Sequence, residues 1–440
     1  MTADAESTDL SIAGAPWLTS TATQRVFAAL TASGHQARAV GGCVRDTLLA
    51  RLQPPGPAAS AEMFDADIDI ATTSEPEETM ALAERAGLRA VPTGVKHGTV
   101  TVVASGVGYE VTTLRHDVET YGRHADVAFT DDWALDAARR DFTINALYAN
   151  PDGSLFDPLG GLPDLVARRV RFVGDPHQRI REDYLRILRF FRFLARFGEA
   201  PPEPESLAAC IAERAGLRRL SRERIGHEMM RLIIARRAVD TVALMAENGI
   251  LAEVLPVAAA PPRLRALDEL ETALGCPPDA ALRLAALTMH VAEDAPRVAA
   301  ALRLSNSDRD VLSLWSETSL DIATAVPAEA GCYREADLRR SLYRLGAGNY
   351  RRRLLIEACY TGSWPGVATL AEAFTLPARW SAPPLPVSGR DLLALGVPPG
   401  PAVGDLLSEL EAAWIESDFT LSRDDLCTRA ERHLRPPPRT

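Results

Sequence analysis

The sequence predicts an α+β protein, with a small mixed sheet and its helices followed by a long helical remainder. Three observations carry this prediction. Short β-rich runs alternate with helical segments up to about residue 150, and amphipathic helical patterns dominate from about residue 176 onward. No strand-like alternation appears after that point. Gly and Pro punctuate the segments, as expected of connections in a globular chain.

The N-terminal elements follow from periodicity and end signals. Residues 1–20 are polar and are expected to be disordered. TQRVFAALTASGHQ predicts a helix ending at Gly34, ARAV a strand and CVRDTLLARL a second helix. QPPGPAAS is a loop, DIDIAT a strand and SEPEETMALAERAG a helix that stops at Gly87.

The next segments complete the predicted sheet. HGTVTVVAS and YEVTTLR are β-rich and flank a Gly-containing turn, which predicts a hairpin. HDVETYGRHADVAFTDD is predicted to be a long polar loop of the kind usually kept for function. WALDAARRD predicts a helix and INALYAN a strand.

Composition excludes several classes of protein. The 440 residues allow two to four domains, and 47% apolar with 24% charged residues is typical of a globular chain. No apolar run reaches 18 residues, which argues against a membrane helix, and the acidic N-terminus does not resemble a secretory signal. Six scattered cysteines without a C-x-x-C pair fit reduced thiols and a cytoplasmic location.

The charge is unevenly distributed along the chain. Residues 166–237 contain 17 Arg against 9 Asp and Glu, a balance of +8, whereas the whole chain carries −11. The remainder therefore carries −19. Lys96 is the only lysine, so the basic region is built from arginine, which binds phosphate bidentately. This asymmetry indicates one basic binding surface on an otherwise acidic body.

Two aspartates stand in the strand-like stretch AEMFDADIDIAT. Asp67 and Asp69 are two residues apart, so both carboxylates point to one face of a strand while the isoleucines point to the other. Two like charges this close repel unless a cation lies between them. An Asp-rich turn leading into a strand is the structural alternative.

A glycine pair precedes these aspartates by about 25 residues. In AVGGCVRD, Gly41 and Gly42 lie between a predicted strand and a helix, where backbone amides and the helix N-terminus can approach an anion. Arg45, in the first helical turn, could reach the same anion. A triphosphate is compatible with two carboxylates if Mg²⁺ bridges them, so the combination indicates a nucleotide site.

Six motifs occur in one order: GGCVRD, DIDIAT, ARRDFTINALY, FDPLGGLPDL, REDYLRILRFFRF and SRERIGHEMMRLI. This series resembles class II CCA-adding tRNA nucleotidyltransferases, a family shared with bacterial poly(A) polymerases. The resemblance is dense from about Val40 to Ile234 and continues, more weakly, in LRLSNSDRDVL and VSGRDLLALGVPPGPAVGDLL. It implies a polymerase-β-like nucleotidyltransferase head followed by helical neck, body and tail.

The resemblance also implies roles for individual residues. Asp67 and Asp69 would be catalytic and hold Mg²⁺, which activates the primer 3′-hydroxyl and neutralises the triphosphate. Gly42 and Arg45, with the neighbouring glycine, would cradle the nucleotide's phosphates. Glu110, on the adjacent predicted strand, could be a third catalytic carboxylate; otherwise it is an exposed strand residue.

RRDFTINA contributes a second pair of candidate nucleotide-binding residues. Arg140 and Asp141 match positions that the family uses against the ribose and phosphates. A carboxylate that accepts from a 2′-hydroxyl would favour NTP over dNTP. An ion pair within the head is the structural alternative.

Four residues of the predicted neck helix recur at three-residue spacing: Asp183, Arg186, Arg189 and Arg192. Each step moves about 60° round a helix, so the first three lie on one side. Salt pairs worth about 0.2–0.5 kcal/mol each are the structural alternative. Three arginines for one aspartate exceed what pairing needs, which favours nucleotide binding, with the last two serving nucleotide or primer phosphates.

The hydrogen-bonding edges of the bases suggest what this set reads. Cytosine and adenine each present an amine donor beside a ring-nitrogen acceptor. Asp183 can accept from the amine while Arg186 donates to the ring nitrogen. Guanine and uracil present the reverse polarity and would leave groups unpaired, at about 1–3 kcal/mol apiece. The family assigns the matching positions this role.

The leading hypothesis is therefore template-independent addition of C, C and A to tRNA 3′ ends, from CTP and ATP with release of pyrophosphate. Poly(A) polymerase and CC-only or A-only addition remain alternatives, and a catalytically dead RNA-binding protein is disfavoured by the intact acidic and basic residues. No membrane and no obligatory protein partner is expected. The predicted domains are a head at 21–165, a neck at 166–237 and a tRNA-binding body and tail at 238–440.

Overall fold

The computed structural model describes residues 10–52, 68–121, 124–199, 201–315, 334–361 and 366–434. The chain divides into two compact units, the first ending at Leu255 and the second beginning at Pro256. Every strand within the described ranges belongs to the first unit, and helices make up the second. The predicted α+β class, with a mixed sheet first and helices after it, is confirmed.

The strands of the first unit are β1 (Ala37–Val40), β2 (Ile68–Thr72), β3 (Arg89–Gly94), β4 (Thr99–Ala104), β5 (Val107–Thr113), β6 (Arg115–Tyr121), β7 (His124–Phe129), β8 (Tyr148–Ala149) and β9 (Leu155–Phe156). Its helices are α1 (Pro16–Thr19), α2 (Thr21–Thr31), α3 (Gly42–Arg51), α4 (Pro76–Arg85), α5 (Trp133–Ala138), α6 (Leu162–Val166), α7 (Pro176–Glu182), α8 (Leu185–Phe197), α9 (Pro204–Ala212), α10 (Arg222–Leu232), α11 (Ala238–Glu247) and α12 (Leu251–Val254). A 3₁₀ segment, Arg214–Arg219, precedes α10.

Seven strands form one sheet in the order β3-β4-β5-β2-β1-β8-β9. The pairing of β2 with β5 is parallel and the other pairings are antiparallel, which makes the sheet mixed. The strand β2 is central, so Ile70 on one of its faces is fully buried. Asp69 is on the opposite face, as the period of two requires.

The predicted hairpin is confirmed as β4 and β5. Ser105 and Gly106 join the two strands and both have positive φ, 52° and 82°, as a tight hairpin turn requires. Val100 and Val102 alternate with threonines along β4 and are fully buried. This alternation places an apolar face against α2 and α4 and leaves a polar face on the other side.

The predicted disorder of residues 1–20 is wrong for residues 10–20. Ile12 and Leu18 are 0% and 1% exposed, and Leu18 belongs to the short helix α1, which packs against α2. Arg51 donates to the carbonyls of Ser11 and Ala13, which ties this segment to α3. A few apolar residues in a polar segment suffice for docking when a neighbouring surface receives them.

The polar stretch after β5 is also not a loop. Its strands β6 and β7 form a separate two-stranded antiparallel ribbon, in which Arg115 lies opposite Phe129. The register shifts between Asp117 and Glu119. Backbone hydrogen bonds hold such a ribbon, so polar side chains are compatible with it, and the alternation in HADVAF is the signal for the second strand.

Aromatic side chains join α8 to the sheet-containing part of the first unit. The rings of Phe172 and Phe190 stack at 5.7 Å between centroids. Phe142, which directly follows Asp141, lies 5.0 Å from Phe172 and 5.1 Å from Phe193. These buried rings fix the helix that carries the arginines relative to the strands that carry the carboxylates.

The second unit consists of helices at α13 (Pro261–Leu274), α14 (Ala280–Thr288), α15 (Asp294–Leu302), α16 (Asn306–Ser313), α17 (Glu335–Thr361), α18 (Val367–Phe374), α19 (Leu376–Arg379), α20 (Gly389–Ala394), α21 (Pro401–Glu416) and α22 (Arg423–Leu434). Gly346, with φ 69°, interrupts α17. One apolar cluster is built around Tyr350 and Leu354, and a second around Leu410 and Trp414. The helical prediction for this region is confirmed in the described ranges.

Across the described residues, none of the helices combines the length and the apolar character needed to cross a bilayer. The division of the chain after Leu255 does not coincide with the boundaries expected at residues 165 and 237, which both fall inside the first unit. The domain boundaries therefore stay predictions.

Candidate active site

The glycine turn lies directly beside β2. Gly41 has φ 74° and ψ −124°, a conformation that an L side chain rarely adopts, and α3 begins at the next residue. A Cβ at Gly41 would lie 3.8 Å from the Asp69 Oδ2 atom and 3.9 Å from the Arg140 Nη1 atom. Three predicted site residues that are far apart in sequence thus meet at the N-terminus of α3, where backbone amides favour anions.

The carboxylates of Asp69 and Glu110 share one face of the sheet. Asp69 on β2 is the Cα partner of Glu110 on β5, and parallel strands in register present partner side chains on the same side. Glu110 is exposed and Asp69 is half-buried. Asp67 lies outside the described residues. Within those described, no cluster of three His, Cys, Asp or Glu could hold a metal, but carboxylate oxygens are the donors that hard divalent cations take.

A buried thiol lies beneath the same turn. Cys43 is 5% exposed, and burial together with the charge of Asp69 raises the pKa of its thiol to about 12. A thiol with this pKa is protonated near neutral pH and is a poor nucleophile. Cys43 therefore packs the turn rather than contributing to chemistry.

Asp136 organises the segment that carries Arg140. Its carboxylate is 1% exposed and accepts from Arg139 at 2.8 Å, from Arg140 at 3.1 Å and from the Tyr148 hydroxyl at 2.7 Å. Arg140 also donates to the Tyr148 hydroxyl at 3.2 Å. Arg140 is thus held in place by two buried groups, neither of which was a predicted site residue.

Asp136 should stabilise the fold in a pH-dependent way. Burial would raise the pKa of its carboxyl, but the charges of Arg140 and Arg139 and the Tyr148 hydrogen bond outweigh it and lower the pKa from 3.8 to about 2. The stabilisation, about 2 kcal/mol, is complete above pH 4 and is lost as the pH falls through 2. We expect Asp136→Asn to lower the free energy of unfolding at pH 6 and this deficit to shrink between pH 4 and pH 2, as measured by urea unfolding.

The control for this experiment is Glu84→Gln, which alters an exposed carboxylate on α4. Its unfolding free energy should follow that of the unmodified chain throughout the range. A deficit in Asp136→Asn that stays constant down to pH 2 would show that the carboxylate's charge does not stabilise the fold.

Asp141 connects the strands to the neck. Its Oδ1 accepts from the backbone of Phe142 and from the Asn145 amide, both at 2.9 Å. Its Oδ2 accepts two hydrogen bonds from Arg189, at 2.7 and 2.5 Å. Burial opposes ionisation, but the Arg189 charge and the hydrogen bonds from Asn145 and Arg189 lower the pKa of Asp141 to about 2. All four acceptor positions of this carboxylate are therefore used.

Asn145 links the phosphate end of the site to Asp141. Its side-chain oxygen accepts from Arg45, while its amide donates to Asp141. Arg45 is 6% exposed, donates to Asp46 at 2.7 Å and lies 4.2 Å from the centre of the Phe197 ring. Asn145 thus connects Arg45, predicted to bind the phosphates, with Asp141, predicted to contact the ribose and phosphates. Asn145 was not among the predicted site residues, although it belongs to the RRDFTINA motif.

The predicted single neck helix is wrong at Asp183. The helix α7 ends at Glu182, Asp183 is extended with φ −152° and ψ 105°, and α8 begins at Leu185. A short aspartate side chain competes for backbone donors, and here its Oδ1 accepts from the Leu185 amide at 3.1 Å. Asp183 therefore caps α8 rather than sharing a helical side with the arginines that follow.

Arg186 and Arg189 have separate anchors, at Glu182 and at Asp141. Arg186 donates from Nη1 to Glu182 at 2.5 Å and to the Arg179 carbonyl at 2.9 Å, and from Nη2 to the Arg139 carbonyl at 3.4 Å. Arg189 forks onto Asp141.

Arg192 has a different environment. Its side chain is buried, and its Nε donates to Glu228 on α10 at 2.5 Å. Desolvation lowers the pKa of Arg192, and the charge of Glu228 opposes this effect. Arg192 therefore joins two helices.

One cavity of about 350 Å³ gathers most of the predicted residues. Its lining consists of Gly41, Gly42, Arg45, Asp69, Arg140, Asp141, Asn145, Asp183, Arg186, Arg189 and Phe193. Nine of these were predicted from the sequence. Glu110 and Arg192, also predicted, are not in this lining. Four arginines and three aspartates face one space, which suits a polyanion accompanied by a cation.

Two family models match the chain. Residues 37–171 match the poly A polymerase head domain, and residues 201–260 match a probable RNA and SrmB-binding site of polymerase A. The mitochondrial CCA tRNA nucleotidyltransferase 1 of Homo sapiens is 33% identical over 397 residues, covering 89% of this chain and 86% of that protein. The CCA-adding enzyme of Limosilactobacillus fermentum is 30% identical and covers 90% and 92%.

This chain belongs to the CCA-adding tRNA nucleotidyltransferase family. A solved structure agrees: the CCA-adding enzyme of Bacillus stearothermophilus in complex with CTP has a TM-score of 0.69 and 28% identity, covering 94% of this chain and 97% of that one. These matches confirm the predicted family and the predicted nucleotidyltransferase activity. They also confirm the predicted fold, a head with a mixed sheet followed by a helical region. Enzymes of this family generally use a divalent metal ion.

Some residues at this family site left only a faint signal in the sequence. Phe193 lies 5.1 Å from the Arg45 guanidinium and 5.4 Å from that of Arg189, and it forms one wall of the cavity. In the sequence it is one of several phenylalanines in LRFFRFLARF, a helix whose period predicts core positions. Its place between two cationic site residues could not be read from that period.

Proposed function

We propose that this protein adds C, C and A, without a template, to the 3′ ends of tRNA, from CTP and ATP with release of pyrophosphate. One observation carries the proposal. The lining of a single cavity includes the glycine turn, the β2 carboxylate Asp69, and Asp183 with Arg186, the pair whose polarity suits cytosine and adenine. The named activity of the relatives supports the same conclusion.

The hydrogen bonds of Asp183 support base selection. Its carboxylate accepts three hydrogen bonds from described residues: from Leu185, and two from Arg224. A carboxylate has about four acceptor positions, which leaves one on Oδ2 for a base amine. Arg186 uses Nη1 twice, so its Nε and part of Nη2 remain to donate to a ring nitrogen. Guanine and uracil would place donor against donor and acceptor against acceptor.

The residues around the glycine turn bind and orient the triphosphate. The α3 N-terminus, Arg45 and Arg140, which is held by Asp136, together bind the phosphates. Arg189 binds the ribose or phosphates when its hydrogen bonds to Asp141 are replaced by hydrogen bonds to the nucleotide. Because both oxygens of Asp141 are fully used, that carboxylate can accept from a 2′-hydroxyl only when Arg189 moves.

We propose Mg²⁺ as the divalent ion, with Asp67 and Asp69 as its ligands and Glu110 as a further carboxylate on the same face. When bound, the ion lowers the pKa of the primer 3′-hydroxyl and stabilises charge on the triphosphate. The protein contributes mainly positioning and fixed charge, which dominate catalysis of phosphoryl transfer. A cytoplasmic location stays a prediction, since the relatives include mitochondrial enzymes.

The tRNA itself is proposed to bind the basic surface of residues 166–237 and the helices that follow. The overlap of this region with the matched RNA-binding model at residues 201–260 supports the assignment. Removing exposed arginines there that neither line the cavity nor contact Asp183 should raise the KM for tRNA and leave nucleotide selection unchanged.

The experiment that tests the function uses three tRNA transcripts, ending at the discriminator base, at C and at CC. Each is incubated with Mg²⁺ and one labelled nucleotide, and the products are resolved by length. We expect C on the first two and a single A on the third, with no reaction from GTP or UTP. A long A ladder on any RNA would favour poly(A) polymerase, and C without A, or A without C, a partial-addition enzyme.

A further inference from the structure

We propose that Arg224 is the positioning residue for Asp183 and thereby a determinant of base choice. The inference rests on the proposed function, because it concerns how the base-reading carboxylate of that site is held. Arg224 lies on α10 and is separated from Asp183 by 41 residues of sequence. It does not line the cavity and was not a predicted nucleotide ligand.

The backbone alone cannot aim Asp183. It lies in the two-residue gap between α7 and α8, where helical geometry constrains neither its φ nor its side chain. Among the described neighbours in sequence, its side chain has one hydrogen bond, from the Leu185 amide to Oδ1, which fixes a single oxygen. Rotation about the bond to the carboxyl group would still carry Oδ2 away from the cavity.

Arg224 supplies the missing constraint. Its Nη2 donates to Oδ2 at 2.6 Å and its Nη1 to Oδ1 at 3.2 Å, a fork that holds the plane of the carboxylate. The side chains of Arg224 and Asp183 are 25% and 18% exposed, so the pair is partly shielded from water. α10 packs along α8, and Ile225 and Met229 are buried on that helix, which fixes the position from which Arg224 reaches out.

The fork also determines how many acceptors remain. With Arg224 in place, one acceptor position on Oδ2 is left, enough for one N–H of a base amine. Without it, Asp183 could turn and accept through either oxygen, including from the ring N–H of uracil or guanine. The guanidinium therefore contributes to selectivity by restricting the carboxylate, without touching the base.

A second contact steadies the same gap. The ring of Tyr184 lies against the backbone of Gly216, where a Cβ would be 1.9 Å from the ring. The guanidinium of Arg219 lies 5.4 Å from the centre of that ring. The 3₁₀ segment therefore holds Tyr184, and α10 holds Asp183. Both elements come after the α7–α8 junction in the chain.

The test compares Arg224→Met and Arg224→Lys with the matched control Arg222→Met. Arg222 is an exposed arginine on α10 without a contact to Asp183 in the described residues, so its loss removes the same charge from the same helix. The measurement is kcat/KM for CTP and for UTP on tRNA ending at the discriminator base. We expect the CTP:UTP ratio to fall by about tenfold or more in Arg224→Met.

Arg224→Lys keeps the charge but not the fork, so it should restore only part of the ratio. Arg222→Met should leave the ratio unchanged. The cause is tested by combining Arg224→Met with Asp183→Asn: if Arg224 acts through Asp183, the double variant should have the ratio of Asp183→Asn alone. A merely structural loss of α10 would lower kcat for both nucleotides equally and would leave the ratio as it was.

Three results would overturn the proposal. A raised KM for tRNA with an unchanged CTP:UTP ratio would make Arg224 an RNA contact. A normal ratio in a folded Arg224→Met variant, with folding checked by circular dichroism, would exclude positioning. Additive effects in the double variant would exclude action through Asp183. Failure of the unmodified protein to add C or A at all would instead refute the proposed function, so the two failures are distinguishable.

Discussion

Asp69→Ala is expected to abolish addition of both C and A, with kcat/KM lowered by ~10³-fold or more. Asp69 is the described carboxylate that lines the cavity beside the glycine turn, and it lies opposite Glu110 on the neighbouring strand. Its loss removes a proposed metal ligand from the reacting end of the site. Because Asp69 is half-buried on the polar face of the sheet, the unfolding free energy should change little. Single-turnover addition of labelled C measures the loss.

The control for this variant is Asp131→Asn, which changes an exposed carboxylate outside the cavity and should retain full activity. Glu110→Gln in the same assay decides whether the partner carboxylate contributes. A rate near that of Asp69→Ala would make Glu110 a third acidic residue of the site, and an unchanged rate would make it an exposed strand residue. Retention of more than a tenth of the activity in Asp69→Ala would refute the assigned role of Asp69.

Asp183→Ala is expected to relax nucleotide choice while chemistry persists. The substitution removes the acceptor for the base amine, so C and A lose their advantage over U and G by about tenfold to 100-fold in kcat/KM. It also removes the cap of the Leu185 amide and the partner of Arg224, which should destabilise the fold by about 1 kcal/mol. Competition between CTP and UTP on one tRNA measures the ratio, and thermal unfolding reports the stability.

Arg181→Met is the matched control for Asp183→Ala. Arg181 is exposed on the last turn of α7 and pairs with Glu213, so its substitution disturbs the same junction without reaching the cavity. Its CTP:UTP ratio should equal that of the unmodified protein. Continued exclusion of UTP and GTP by Asp183→Ala would show that Asp183 does not read the hydrogen-bonding edge of the base. Arg186 and Phe193 would then be the candidates for nucleotide selection.

The chemistry of the site was predictable because its residues lie in short local patterns. The adjacency of Gly41 and Gly42, and the two-residue spacing of Asp67 and Asp69 in the sequence, have direct geometric meaning. All the cavity residues named from the sequence lie within the first unit. A period of two or of 3.6 residues requires only neighbours along the chain, so one sequence suffices to show it.

Features that depend on contacts between distant segments could not be predicted from local sequence patterns. The polar composition of HDVETYGRHADVAFTDD predicts a loop, and the backbone pairing that makes β6 and β7 a ribbon is not encoded in it. Three-residue spacing groups Arg192 with Arg186 and Arg189. Its contact with Glu228, 36 residues away, instead places it between two helices.

Local sequence patterns were enough to predict the available residue types, the order of the elements and the related family. How the acidic groups are used depends on packing between distant segments. The carboxylate of Asp141 accepts hydrogen bonds from Arg189 and Asn145. The carboxylate of Asp183 accepts from Arg224 and keeps one acceptor position unused by the described residues. The physical reason is that a carboxylate's remaining hydrogen-bonding capacity depends on donors brought to it by packing, from residues 41 or 48 positions away.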